Sequence, residues 1–144
     1  VKEKFVKAHM RVAHIYAELS HAKRLKVGAI VVKDNRVISI GYNGTPAGWG
    51  NICEDHVYEP DGFNINIKTK PEVIHAEANA IAKLARNHES GLNADMFITH
   101  APCMECAKLI YGAGIKQVYF KQPYRDYSGI HFLNKCNIGV EQVE

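Results

Sequence analysis

No stretch of this 144-residue sequence approaches the roughly 20 consecutive apolar residues that a membrane-spanning helix needs; apolar runs such as Ala29 to Val32 are a fraction of that length. The start, Val1 to Lys7, lacks the apolar stretch and small-residue cleavage site of a secretory signal, so the expectation is a cytoplasmic protein with no membrane partner. Eleven glycines and five prolines are too few for a collagen-like or Pro/Gly-rich disordered chain. A strong excess of one charge sign is missing as well. A net charge of +3 without a basic block does not mark a nucleic-acid tail, yet it permits attraction to phosphate groups, and a small anion suits it as well as RNA does. Repeats and low-complexity tracts are absent. Four cysteines, Cys53, Cys103, Cys106 and Cys136, are a poor disulfide framework for a chain of this size without an export signal, and reduced thiols are expected.

What is present is a balance of 47% hydrophobic and 23% charged residues, which predicts one globular domain over residues 1–144. Phe5, Ala8, Val12, Ile15, Tyr16 and Leu19 recur at three- and four-residue steps and predict an amphipathic helix over about residues 2–20. Two β-branched runs, 27–32 and 37–42, flank the polar turn Lys33-Asp34-Asn35-Arg36 and predict a hairpin. Residues 43–71 hold many turn formers without a sustained period and read as a long loop or insertion, a length that is usually functional. An Ala-rich helix over 75–88, a strand over 96–99, a helix from Cys103 to Tyr111 opened by Pro102, and a strand over 118–120 follow. A short helix near 129–135 and a strand over 138–143 complete the chain. Strands alternating with helices indicate an α/β fold, a mixed sheet with helices on its faces.

Three ligand-type residues stand out. His75 opens one predicted helix, and Cys103 and Cys106 lie at the start of another, where the macrodipole and free N–H groups favour thiolates. The two cysteines alone read equally as a metal half-site or a redox dithiol, but a dithiol explains neither His75 nor Glu77. One imidazole and two thiolates make three zinc ligands. Structural zinc usually has four, and three leave a position for water whose pKa the metal lowers to about 7. Glu77, unligated beside such a water, could take its proton and deliver it to a leaving amine.

His75-Ala76-Glu77 followed by Pro102-Cys103-Met104-Glu105-Cys106 resembles the zinc-dependent cytidine/deoxycytidylate deaminase family. Gly41-Tyr42-Asn43-Gly44-Thr45-Pro46-Ala47-Gly48, a long insertion and His75-Ala76-Glu77-Ala78-Asn79-Ala80-Ile81 are similar to its deoxycytidylate (dCMP) branch. The resemblance implies a three-layer α/β/α fold with a central mixed sheet of about five strands. It implies a hydrolase acting on the C–N bond of a cyclic amidine, converting dCMP to dUMP and ammonia. His75, Cys103 and Cys106 would hold zinc and Glu77 would shuttle protons. The Ala76 N–H would hold the base carbonyl, Asn43 the sugar, and Tyr124 would lie beside the base. Arg24, Lys26 and Arg125 are the candidates for the 5′-phosphate. Family members are commonly hexamers activated by dCTP and inhibited by dTTP, with Mg2+ accompanying the nucleotide, and Asn43, Gly44, Thr45 and Gly48 resemble part of that effector loop. Some viral members hold a second, structural zinc. Cys53 and His56 resemble such ligands, but the upstream cysteine of those members is absent, with only His21 as a substitute.

Other readings of the same residues are a turn for Asn43-Gly44, packing for Tyr124, and a small buried hydrophobe for Cys136. Competing functions are deamination of a base in tRNA or another nucleic acid, and a zinc-stabilised binding module without catalysis. The insertion of about twenty residues and the missing basic run oppose the first; the carboxylate at Glu77 opposes the second.

Overall fold

The computed structural model describes residues 2–63 and 65–144. It contains α1 (Glu3–Ala17), β1 (Gly28–Lys33), β2 (Arg36–Tyr42), β3 (Glu54–Tyr58), β4 (Ile65–Thr69), α2 (Ala76–Leu84), β5 (Asp95–His100), α3 (Met104–Gly112), β6 (Gln117–Gln122), α4 (Ser128–Lys135) and β7 (Gly139–Gln142). Five strands form one mixed sheet in the order β2-β1-β5-β6-β7, antiparallel at β2/β1/β5 and parallel at β5/β6/β7.

The period-2 geometry of a strand sends successive side chains to opposite faces, and the central strands are apolar on both. Ile30, Val32, Phe97 and Tyr119 meet Val6, Met10 and Ala13 of α1. Ala29, Val31, Met96, Ile98 and Val118 meet Ala76, Ala80 and Leu84 of α2, Ala107 and Ile110 of α3, and Leu133 of α4. The result is the expected three-layer α/β/α arrangement. Phe97, fully buried and stacked on Tyr119 at 4.7 Å, is one of the largest contributors; truncating such a core ring costs about 3–5 kcal/mol.

Two glycines set the layer spacing. A Cβ at Gly28 would collide with the backbone of Ala13 and Ala17 in α1, and one at Gly41 with that of Ala76 and Ala80 in α2. Side chains then fix α2 along β2: Asn79 Nδ2 donates to the Tyr42 carbonyl at 3.0 Å, Lys83 Nζ to that of Ile40 at 3.0 Å, and the Ser39 hydroxyl to that of Ala80 at 2.6 Å. The first hairpin turns through Asp34 and Asn35 with φ of 51° and 62°, the left-handed pair that a tight hairpin turn requires.

Four sequence expectations change. The first helix ends at Ala17 and buries Val6, His9, Met10, Ala13 and Ala17, while Ile15 and Leu19 of the expected stripe are exposed. Residues 43–71 are not irregular throughout, since β3 and β4 pair antiparallel within them from Glu54↔Thr69 to Tyr58↔Ile65. The second helix stops at Leu84 rather than His88, because the Ala85 and Arg86 N–H groups turn back to the Ala82 and Lys83 carbonyls, a tightened terminal turn. Cys136 is half-buried against the core instead of enclosed by it.

Candidate active site

The sheet delivers two helix N-termini to one point. β5 ends at His100, Ala101 and Pro102 lead out of it, and Cys103 is the extended N-cap of α3 (φ −73°, ψ 171°) with Cys106 in the first turn. His75 is the extended N-cap of α2 (φ −67°, ψ 152°). Pro102 thus precedes the cap instead of occupying the first helical position. N-caps are normally Ser, Thr, Asp or Asn, whose side chains close free N–H groups. His75 and Cys103 make no such bond, so each helix forgoes about 0.5–2 kcal/mol of capping and keeps its N-cap side chain free for another task.

That task fits a metal. The three ligand atoms lie within 4.8 Å of one another. His75 Nδ1 is 3.3 Å from Cys106 Sγ and 3.6 Å from Cys103 Sγ. Ligand atoms at tetrahedral angles around one zinc, with ordinary Zn–N and Zn–S lengths, are separated by about 3.6 Å. The donor set therefore suits zinc in both type and spacing. Among the described residues, no other group of three His, Cys, Asp or Glu side chains gathers in this way.

The protonation of the group points in the same direction. The Cys103 thiol is pulled down to about 4 by hydrogen bonds from Cys106 and His75. Cys106 is pushed up by its bond to that neighbour and by burial, and His75 is raised by its bond to Cys103. The trio shares protons that a dication would displace. Glu77, only 5% exposed, is pushed up to about 7 chiefly by burial, with its carboxyl bonded to Cys106. A bound cation would oppose that rise. A buried carboxyl group beside the ligand cluster is placed to move protons to and from a group held there.

His75, Ala76, Glu77 and Cys103 open into a cavity of about 250 Å³. Of the residues expected to contact substrate, Asn43, Tyr124, Arg24 and Arg125 also line it, and the exposed arginines lie at its rim. Lys26 does not line it, although charge and position had nominated it. Asn43 is occupied on both sides: Oδ1 accepts the Val27 N–H at 2.8 Å and Nδ2 donates to the Leu25 carbonyl at 2.8 Å. In the candidate effector loop, Gly44 exchanges backbone bonds with Ile74, Thr45 Oγ1 donates to the Gly50 carbonyl at 2.8 Å, and Gly48 has φ 89°. The residues suggested for a second metal do not assemble: Cys53 is buried with Sγ on the Asn51 carbonyl, His56 sits exposed opposite Ile67 in the hairpin, and His21 is exposed.

Sequence reasoning missed Glu54, Thr69 and His100, all lining the cavity. The first two lie in the segment read as a loop, where no pattern marked them. His100 stands three residues before Cys103, so its closeness to the metal ligands was the available signal.

Paired N-termini presenting His, Cys and Cys, with a buried carboxyl group at their shared cavity, define a zinc-hydrolase type of centre on a three-layer α/β/α sheet. The family described as the cytidine and deoxycytidylate deaminase zinc-binding region matches residues 3–122, and the chain belongs to it. The crystal structure of dCMP deaminase from the cyanophage S-TIM5, in complex with dCMP and dUMP, is similar with a TM-score of 0.88 and 40% identity over 99% of each chain. Deoxycytidylate deaminase of Enterobacteria phage T4 is 34% identical over 80% of this chain and 76% of its own length. ComE operon protein 2 of Bacillus subtilis is 38% identical over 94% and 69%.

Proposed function

We propose that the protein hydrolyses dCMP to dUMP and ammonia, supplying dUMP for thymidylate synthesis. One observation carries the reading: His75 and Cys103, clustered with Cys106, and buried Glu77 line one cavity together with Arg24 and Arg125. Zinc, held by His75, Cys103 and Cys106, supplies Lewis acidity and an activated water. Glu77 accepts a proton from the attacking water, gives one to pyrimidine N3 and moves another to the departing 4-amino group. The Ala76 N–H, in the first turn of α2 and without an intrahelical acceptor, points this reading to the base carbonyl. Tyr124 packs beside the base, and Arg24 and Arg125 take the 5′-phosphate. Lys26 drops out of that set.

The reading includes one catalytic zinc and no second ion at Cys53, His56 and His21. It extends to a cytoplasmic homohexamer activated by dCTP and inhibited by dTTP, with Mg2+ accompanying the nucleotide; among the described residues no helix is long and apolar enough to cross a membrane. The Gly44–Ile74 bond pair ties the Asn43-to-Gly48 loop to the residue before His75, the route by which an effector bound there would reach the site. The test is ammonia release from dCMP, deoxycytidine, dCTP and a tRNA anticodon stem-loop, each with and without dCTP or dTTP. Preference for dCMP with opposite responses to the triphosphates is expected; turnover of the RNA with none of dCMP would overturn the proposal.

A further inference from the structure

The segment between α1 and β1 forms a wall of the cavity without regular structure of its own, and side chains from two distant elements hold it. On one side Asn43 binds the backbone of Leu25 and Val27, while the Ser20 hydroxyl donates to the Asn43 carbonyl at 2.7 Å and accepts the Ala22 N–H at 3.1 Å. On the other side stands Glu54, the first residue of β3. Its side chain comes from the insertion, 30 residues further along the chain, and is 6% exposed. One oxygen, Oε2, accepts the N–H groups of Lys23 at 2.8 Å and Arg24 at 3.0 Å.

A buried carboxylate is costly unless it is well hydrogen-bonded, and here two backbone donors answer it. The hairpin is anchored at the same place. Lys70 N–H donates to the Cys53 carbonyl at 2.8 Å, and Arg24 Nη1 reaches Thr69 Oγ1, opposite Glu54 in the register, at 3.4 Å. Isolated two-stranded hairpins are marginal in water, so these ties matter to the hairpin as much as to the loop. We infer that Glu54 is a positioning residue for the anionic end of the substrate: the insertion uses it to hold the Lys23–Arg24 backbone so that Arg24 stands in the cavity wall. The inference rests on the dCMP reading, because Arg24 needs a phosphate to meet.

The experiment compares Glu54→Ala, Glu54→Gln, Arg24→Ala and the Glu54→Ala/Arg24→Ala pair on dCMP and on deoxycytidine, with zinc content and thermal midpoint recorded. Glu54→Ala is expected to raise KM for dCMP about tenfold or more, as loss of charge-assisted bonds would, with kcat held and deoxycytidine turnover unmoved. Glu54→Gln keeps an acceptor and recovers most of the loss. The double variant adds little to Arg24→Ala, since both changes remove one function. Equal effects on the two substrates, or an unchanged KM for dCMP, overturn the inference. If Glu54→Ala does not fold, Glu54→Gln decides by the same criterion, with a severalfold rise in KM confined to dCMP expected. A wild-type protein inactive on dCMP sinks the parent reading instead.

Discussion

The inner end of the cavity and its outer wall are built in opposite ways. At the inner end, His75, Glu77, Cys103 and Cys106 are placed by two regular helices, themselves seated on a sheet whose central residues are fully buried. At the wall, Arg24 is placed by side chains of Ser20, Asn43 and Glu54 acting on irregular backbone. Bonds of the second kind are few and individually worth about 1 kcal/mol, more where a charge takes part. The contrast assigns separate duties. Groups that make and break bonds need fixed geometry, which rigid elements provide. On the proposed reading, the group that meets the phosphate sits on a wall whose placement can be altered without touching the chemistry.

The largest effect comes from damage to the inner end. Cys106→Ala removes a buried ligand, and zinc per subunit is expected to fall from one to near zero with loss of all deaminase activity; metal analysis after gel filtration measures it, and an undiminished zinc content would break the assignment. Glu77→Gln is next. It keeps the shape of the side chain but cannot carry the proton, so turnover should fall by roughly 10²–10⁴-fold while zinc stays bound. Both substitutions should depress dCMP and deoxycytidine alike, whereas the wall variants separate the two substrates. A Glu77→Gln variant that slowed only dCMP would erase the division between the regions.

The same division governs what could be read from the sequence. The inner end was legible because its signals are local: a His and a Glu two apart, two cysteines three apart, and helix propensity after each. The sheet was legible because β1, β5 and β6 are apolar on both faces. The β3–β4 hairpin was not. Ile65, Val57 and Tyr58 remain 43–69% exposed, so its alternation records no burial, and the surrounding turn formers dominate the pattern. Glu54 carried no signature either, since its partners are backbone N–H groups that every residue but proline possesses. Charge alone could not separate Arg24 from Lys26, because the loop path that brings one to the cavity and not the other depends on Glu54 and Asn43. For Asn43, the choice between a turn and a sugar contact missed its hold on Leu25 and Val27.

The smallest effect lies at the seam between the regions. His100 lines the cavity three residues before Cys103, and its Nδ1 meets Thr99 Oγ1 at 2.9 Å, while that hydroxyl oxygen accepts the Gly28 N–H at 3.1 Å, at the end of the wall segment. Burial, then the charge of His14, lowers the pKa of His100; burial, then Lys121, lowers that of His14, with Glu18 opposing. Both histidines consequently take up protons more readily in the unfolded chain. Their contribution to stability is complete above the unfolded value of 6.5 and declines as the pH falls below it. His14→Gln removes one titration and relieves the other, so the variant should lose less stability than the wild type between pH 7.5 and 5.5. Thermal midpoints of the two zinc-loaded proteins at each pH measure it, and the fall on acidification should be smaller for the variant, by a small margin because His14 is partly exposed and its charge is screened. Parallel declines would mean that the His14–His100 pair contributes nothing to acid sensitivity.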